Sequence, residues 1–579
     1  MLNKMINPDL SGKKVSLLVL LVFVGVGLLN AQTVIPGGDV TGSWALDSSP
    51  YLVEGDITVP NGETLTIDPG VLVEFQGHFA LNVQGQLLAV GTAQDSIYFT
   101  IVDTTGFSIP DSTAGGWNGI QFEGTPATND SSKIVHCKLE FGKEIPVWPS
   151  SHKGGAILVE DFSKLLVANC NISNNCARAG GGVSIIGNSN PIFAYNKICY
   201  NIVVPSGGYA DARGGGVYIR YGAAPTFIGN IISNNFNYSI DGFAGGVYIG
   251  SSSNPLIQDN IIWRNYGHCG YGGGLQIIDS TPILINNDIQ YNHGLEDENG
   301  HMWLRGGAIS IIDHGSSGEI ILINNLIANN RGADGALYFQ GSAVNITLIN
   351  NTIVDNRLRA IDNFWSPGAD ITIINSILRN DSPHYEEICF YNEVTIKHSN
   401  IQDSLGNADG NIDTDPLFYG DGGDYPFYSL TAESPCINAG TSELPEGVVL
   451  PEFDLAGHPR VVGETIDMGC YEYQFPQNAE DYELPVNHNY QLTNHPNPFT
   501  GETTISFSLT TNLHENAKIE IYNIRGQKVE NLQITNSPNQ EIIWNGRDET
   551  NKPVSSGIYF YKLVVDGITV DTKKMILLK

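Results

Sequence analysis

The sequence predicts an all-β chain, a parallel β-helix solenoid followed by a small C-terminal β-sandwich, on three observations. An Asn-x-Ile-x-x-Asn phrase returns seven times, at Asn196, Asn230, Asn260, Asn287, Asn325, Asn351 and Asn375, at intervals of 34, 30, 27, 38, 26 and 24 residues. A Gly-Gly pair and an apolar run precede each of the first five, as in Gly181-Gly182-Val183 and Gly215-Gly216-Val217. The last stretch of chain changes to short runs of period-two alternation, separated by Asn545-Gly546 and Asp566-Gly567.

A minimum period near 24 with variable excess is what stacked solenoid turns carrying loops produce. A single turn cannot bury its own apolar face, so neighbours must stack. Within the phrase, Asn and Ile are two apart and share one face of a strand. An inward Asn is costly unless its amide is bonded. Strands about 4.8 Å apart let each amide bond the Asn of the next turn, so the seven first asparagines are expected to form one ladder. The Gly pairs mark corners that need positive φ or close backbone approach.

Taken in order, residues 1–32 read as a secretory signal peptide. Lys13-Lys14 precede an apolar run from Val15 to Leu29, and Ala31-Gln32 offer the cut. No Cys follows the run, and no later segment is apolar enough to span a membrane. Residues 33–132 carry short strands between Gly and Pro turns, expected as an N-terminal cap and first coils. Residues 133–400 hold the regular repeats, and 401–475 the last coils and a cap. Residues 476–490, with Pro476 and Pro485, read as a linker, and 491–579 as the sandwich.

The formal net charge is −32, with charged residues only 16% of the chain and 65 glycines. Such a chain is repelled by nucleic acid and anionic lipid, so neither is an expected partner. Eight cysteines in an exported protein suggest disulfides, and without a CxxC they do not suggest zinc. Cys137 and Cys170 occupy the ladder position of adjacent turns and are expected to stack, bonded or not. Cys436 and Cys470 form a second candidate pair. No metal site or cofactor is expected. Calcium could meet the aspartates of the tail, yet capping turns explain them, and the calcium-binding nonapeptide is missing.

The tail motifs Ser434-Pro435-Cys436-Ile437-Asn438-Ala439-Gly440 and Asp467-Met468-Gly469-Cys470-Tyr471-Glu472 resemble choice-of-anchor tails that follow β-helix repeats in surface proteins of Bacteroidetes-like bacteria. The C-terminal motifs are Asn494-His495-Pro496-Asn497-Pro498-Phe499, Lys518 to Val529, Trp544 to Asp548, Val554 to Tyr561 and Lys573 to Lys579. In this order they resemble the type IX secretion system C-terminal sorting domain, type A, of immunoglobulin-like sandwich fold. The resemblance implies the type IX machinery as a partner, passage through the outer membrane, and a location outside the cell or on its surface. It also implies removal of the domain on attachment to surface polysaccharide. Residues 33–475 resemble right-handed β-helix proteins of the pectin-lyase-like superfamily. Fold alone does not give function.

Candidate site residues come from the loops between an Asn phrase and the next Gly pair, which stack into one rim. They bring Asp211, Asp241, Glu296 and His268 as weak catalytic candidates, and Trp303 as a binding candidate. Glycoside hydrolysis needs two carboxylates roughly 5–9.5 Å apart. The strand after each Gly pair places Val183/Ile185, Val217/Ile219, Val247/Ile249 and Leu275/Ile277 inward. The alternate residues Ser184, Tyr218, Tyr248 and Gln276, with Arg220 nearby, then face out as a row on which a glycan could stack. The catalytic sets of polygalacturonases and the Arg-x-Pro-x-x-Arg signature of pectate lyases are missing. The expectation is a non-catalytic, monomeric surface scaffold binding a polysaccharide or cell-surface glycan. The alternative is a polysaccharide lyase or glycoside hydrolase with a divergent site on the rim.

Overall fold

The computed structural model describes residues 32–474 and 492–577, apart from 110–111, 146–153, 206–211, 240–241, 269, 295–303, 316–317, 342–343, 364–369, 381–385, 390–393, 403–407, 421–425, 498, 508–516, 524–527, 535–540, 556 and 566–567. Residues 1–31 of the signal segment and the whole linker lie outside the described residues.

The chain winds as a three-faced parallel solenoid. Among the described residues the first face has 14 strands, and the second and third have 13 each. One turn shows the plan. Ile231–Ser233 lies on the first face and Phe236–Asn237 on a short accessory sheet. After a loop, Val247–Gly250 lies on the second face and Leu256–Gln258 on the third. Each strand pairs in parallel with its equivalent one turn on, as Val247 does with Leu275. The stacking already begins at Thr33–Ile35.

Ile198, Ile232, Ile262, Ile289, Ile327 and Ile353 form one inward column, all fully buried. The asparagines flank it in two ladders where one ladder was expected. From Asn196 to Asn351, each Nδ2 donates to the Oδ1 of the next turn at 2.9–3.1 Å. The second asparagines of the phrase, with Asn175 before them, repeat this from Asn175 through Asn201, Asn235, Asn265, Asn292, Asn330 and Asn356 to Asn380, at 2.9–3.0 Å. This second ladder ends on the buried Glu387 carboxyl, which burial pushes up from its ordinary pKa.

Asn375 is a correction, because it is not in the first ladder. Its φ is 52°, and its amide donates to Asn350 Oδ1 and the Thr441 carbonyl. Ser376 takes the rung, its Oγ accepting from the Asn351 N–H at 3.1 Å. The turn is one residue short there: Asn351 is five before Asn356, whereas Ser376 is four before Asn380.

The Gly columns divide the two jobs expected of them. Gly180, Gly214, Gly272 and Gly306 take positive φ. Gly181, Gly215 and Gly273 lie against the carbonyl of the next turn, where a methyl would fall 2.2–2.5 Å from oxygen. Gly182, Gly216, Gly246 and Gly274 press on the side chains of Asn201, Asn235, Asn265 and Asn292, so the two sequence phrases meet in space.

Cys137 and Cys170 stack as expected, with the Cys137 N–H donating to Cys170 Sγ at 3.3 Å. No disulfide forms among the described residues, where seven cysteines, Cys436 and Cys470 included, carry free thiols. Cys436 Sγ accepts from Asn400 Nδ2, while the Cys470 N–H donates to Thr352 Oγ1, so these two are seated on different turns. Cys269 lies outside the described residues.

Residues 408–474 fold back along the outside of the last turns. There the outward side chains Leu326, Ala328, Val354 and Ile377 are apolar, and Leu430, Met468 and Tyr471 cover them. Asp454, Asp467 and Glu472 close the turns of this tail by accepting from backbone N–H groups of His458, Glu472, Asn438, Tyr473, Val462 and Asp467. Arg460 is buried among them and donates to the Asp467 and Gly469 carbonyls. Three buried carboxyls against one guanidinium cannot all stay ionised cheaply. Burial and then Asp467 push Glu472 up to about 8, and burial pushes Asp467 up to about 6. Unfolded, both would titrate near 4. Between about pH 5 and pH 8 unfolding therefore releases protons, and the tail loses stability as pH rises. Hydrogen-exchange protection of residues 454–473 is expected to be greater at about pH 5.5 than at about pH 8.5; an unchanged or reversed slope would refute the assignment.

Among its described residues the C-terminal unit pairs a three-stranded antiparallel sheet, Leu492–His495, Thr503–Phe507 and Glu541–Trp544, with a four-stranded one. The latter is ordered Lys528–Gln533, Ala517–Asn523, Gly557–Val565, Ile568–Leu577. Its core holds Ile519, Ile521, Trp544, Tyr561, Leu563 and Met575.

Candidate functional site

The outward row of the second face runs in register through Ser184, Tyr218, Tyr248, Gln276, Ser310 and Tyr338. The direction is as expected, but the exposure is not. Ser184, Tyr218 and Gln276 are fully buried, and Tyr248 is 2% exposed. The rim residues lie down over this face. The Arg213 guanidinium sits 5.3 Å from the ring centres of both Phe243 and Tyr248. Tyr218 and Tyr248 stack on each other at 5.2 Å, and Phe243 on Tyr271 at 6.1 Å. Arg220 bonds Ser251 Oγ at 2.8 Å and the Tyr218 hydroxyl at 3.2 Å. Burial pushes the Tyr218 phenol up. A glycan cannot stack on rings that already roof the sheet.

Of the weak catalytic candidates, Asp211, Asp241 and Glu296 lie outside the described residues, as does Trp303. His268 is part-buried, and burial lowers its imidazole, which keeps it neutral near pH 7. Among the described residues no group of three or more His, Cys, Asp or Glu could hold a metal ion.

Farther along the rim, loop residues Arg305 and Asp334 join a titratable cluster with Tyr338, Arg359 and Asp362 that the spacing of the residues does not reveal. Arg305 Nη1 donates to the Tyr338 hydroxyl at 2.6 Å, and its Nε lies 3.6 Å from Asp334 Oδ2. Burial, and then Asp362, raise the Asp334 carboxyl. Arg359 stands 3.6 Å from Asp362. Under this cluster the Gln276 amide and the Ser310 hydroxyl are buried without a hydrogen-bond partner among the described residues.

A second group lies open on the first face. From Asn175 to Asn356 the residue before the second ladder Asn takes positive φ, which swings its side chain outward at the corner. Tyr200, Arg264 and Tyr291 hold this place, and Tyr200 and Tyr291 are 53% and 44% exposed. Arg264 lies 4.2 Å over the Trp263 ring, which meets Tyr291 edge-on at 6.0 Å. One turn on, Tyr428 of the tail bonds Asn329 and Asp355, and walls the platform on that side. The corner position could have been read from the phrase, as the residue just before its second Asn.

Two family matches agree with this architecture. Residues 118–317 match the family described as "Right handed beta helix region", and residues 494–578 the family described as "Secretion system C-terminal sorting domain". "Protein bark beetle" of Drosophila melanogaster is 40% identical over 70 residues, which are 12% of this chain and 2% of that relative, so the chain spans only a small fraction of its length. The structure of dimeric latent PorU from Porphyromonas gingivalis is 24% identical, over 15% of this chain and 9% of that one, with a TM-score of 0.15. That of pectate lyase Pel9A is 13% identical, over 72% of this chain and 89% of that one, with a TM-score of 0.36. Among the described residues no helix is long and apolar enough to cross a membrane. The chain therefore carries a right-handed parallel β-helix region and a type IX secretion system C-terminal sorting domain, and is cargo for export to the cell surface or the extracellular space.

Proposed function

We propose that this surface-displayed solenoid is a non-catalytic scaffold that binds a polysaccharide or cell-surface glycan on its first face. The observation that carries the reading is the open platform of Trp263, Arg264 and Tyr291 beside the tail wall. Ring faces stack on the apolar faces of sugars, and a guanidinium donates to their hydroxyls. Turns about 4.8 Å apart put Tyr200 three turns from Tyr291, so an extended chain of sugars can touch both. With a net charge of −32, a neutral glycan is favoured over a polyanion.

The test mixes the exported protein with a panel of neutral and acidic polysaccharides, then assays retained protein and new chain ends. The expected result is retention without new ends, weakened about tenfold or more by Trp263→Ala, as for an aromatic anchor at the centre of an interface. Retention indifferent to Trp263→Ala and Tyr291→Ala would remove this surface. The alternative, a lyase or hydrolase, draws support from Asp334, whose raised carboxyl faces Arg305 and Tyr338. New ends that disappear in Asp334→Asn would favour it.

A further inference from the structure

The four-stranded sheet of the sorting domain has one face in its own core, which takes Tyr561, Leu563, Met575 and Leu577. The alternate side chains, Phe560, Lys562, Lys574 and Ile576, point the other way. On a free sandwich that face would meet water and carry polar residues. Here Ile576 is only 3% exposed, and with Phe560 it packs on the outside of the solenoid's third face.

The receiving strip is Val135, Ala168, Ala194 and Ile228, side by side in four consecutive turns. The two alanines at its centre leave room for the incoming Ile576. Charge fixes both sides. Lys574 Nζ stands 3.4 Å from Asp259 Oδ2 and 4.9 Å from the centre of the Tyr195 ring. Lys562 pairs with Glu452 of the tail. Apolar burial and two separate ion pairs, the latter drawn from solenoid and tail, thus converge on one face of the sorting domain. The strip is apolar although it lies outside the solenoid core, and that is the mark of a contact surface.

We infer that the third face of the solenoid is a cradle for the sorting domain, which holds its last strand against the cargo until the secretion machinery takes it. The cradle is made of side chains from four turns, so it exists only once those turns have stacked. Docking therefore makes burial of the Lys574–Ile576 face conditional on a folded cargo. This does not depend on what the first face binds.

Zero-length carbodiimide coupling of the full chain with its sorting domain still attached, read by peptide mass spectrometry, tests it. Lys574–Asp259 and Lys562–Glu452 cross-links are expected. Ala194→Glu should lower their yield about tenfold or more, with the solenoid's far-ultraviolet β signal and melting unchanged. On refolding from denaturant, the cross-links should appear no earlier than that β signal. If the wild-type chain gives neither cross-link, or Ala194→Glu leaves both at full yield, the cradle is overturned. Cross-links that precede solenoid folding would overturn its dependence on folded cargo.

Discussion

Replacing Asn265 with Ala is expected to open the middle of the solenoid, at a cost of about 4 kcal/mol. Asn265 is fully buried and serves both neighbouring turns. Its Oδ1 accepts from the N–H and the Nδ2 of Asn235. Its Nδ2 donates to the Ile232 carbonyl and to Asn292 Oδ1. Truncation leaves these partners buried without water, and each orphaned group costs roughly 1–3 kcal/mol, not strictly additively. Because turns contact only their neighbours, the loss should stay local. Hydrogen exchange of residues 231–237 and 261–267 should accelerate about a thousandfold, while the first coils keep their protection. Asn171→Ala, on the outward side of the first face, is the control and should change little. Equal effects from the two variants would contradict the ladder.

Gly215→Ala is expected to be worse than an ordinary core overpacking. The added methyl would lie 2.2 Å from the Gly245 carbonyl oxygen and 2.9 Å from the Phe236 N and O atoms, all backbone. No rotamer relieves that contact, so two turns must separate. The hydrogen bonds from the Gly215 and Gly216 N–H groups to the Ala244 and Gly246 carbonyls then stretch. A loss of about 3 kcal/mol or more follows, read as a lower melting temperature and a lower yield of exported protein. Gly501→Ala meets open space and should be near neutral. A Gly215→Ala chain as stable as the parent would mean that the turns do not approach as closely as described.

Much of this architecture was legible in the residues. Stacking makes every turn solve the same packing problem, so inward positions repeat in the sequence. The Ile column and the Asn rungs are therefore visible at constant offsets, the Gly pairs recur ahead of them, and Cys137 and Cys170 fall at the same position of adjacent turns. Period-two alternation likewise showed which way Tyr218 and Tyr248 point. The two strands Leu492–His495 and Lys528–Gln533 are not legible in the residues, because their alternation is weak and polar.

Other features depended on the three-dimensional path. Tyr218, Tyr248 and Gln276 point outward yet are buried, because loop length does not encode where a loop lies, and these rims fold onto their own sheet. Asn375 matched the phrase in sequence, but one missing residue in its turn moved the rung to Ser376. Cys436 and Cys470 bracket one segment, yet Asn400 and Thr352 hold them on different turns. The first-face platform, the tail over Leu326 and Ile377, and the sorting domain over Ala194 are contacts between segments far apart in the chain. The sequence by itself determined the solenoid, its first ladder and its export tail, because each inward position faces its own copy one turn away. Only the tertiary structure decided which outward surfaces stay open, because what covers them comes from elsewhere in the chain and leaves no period to read.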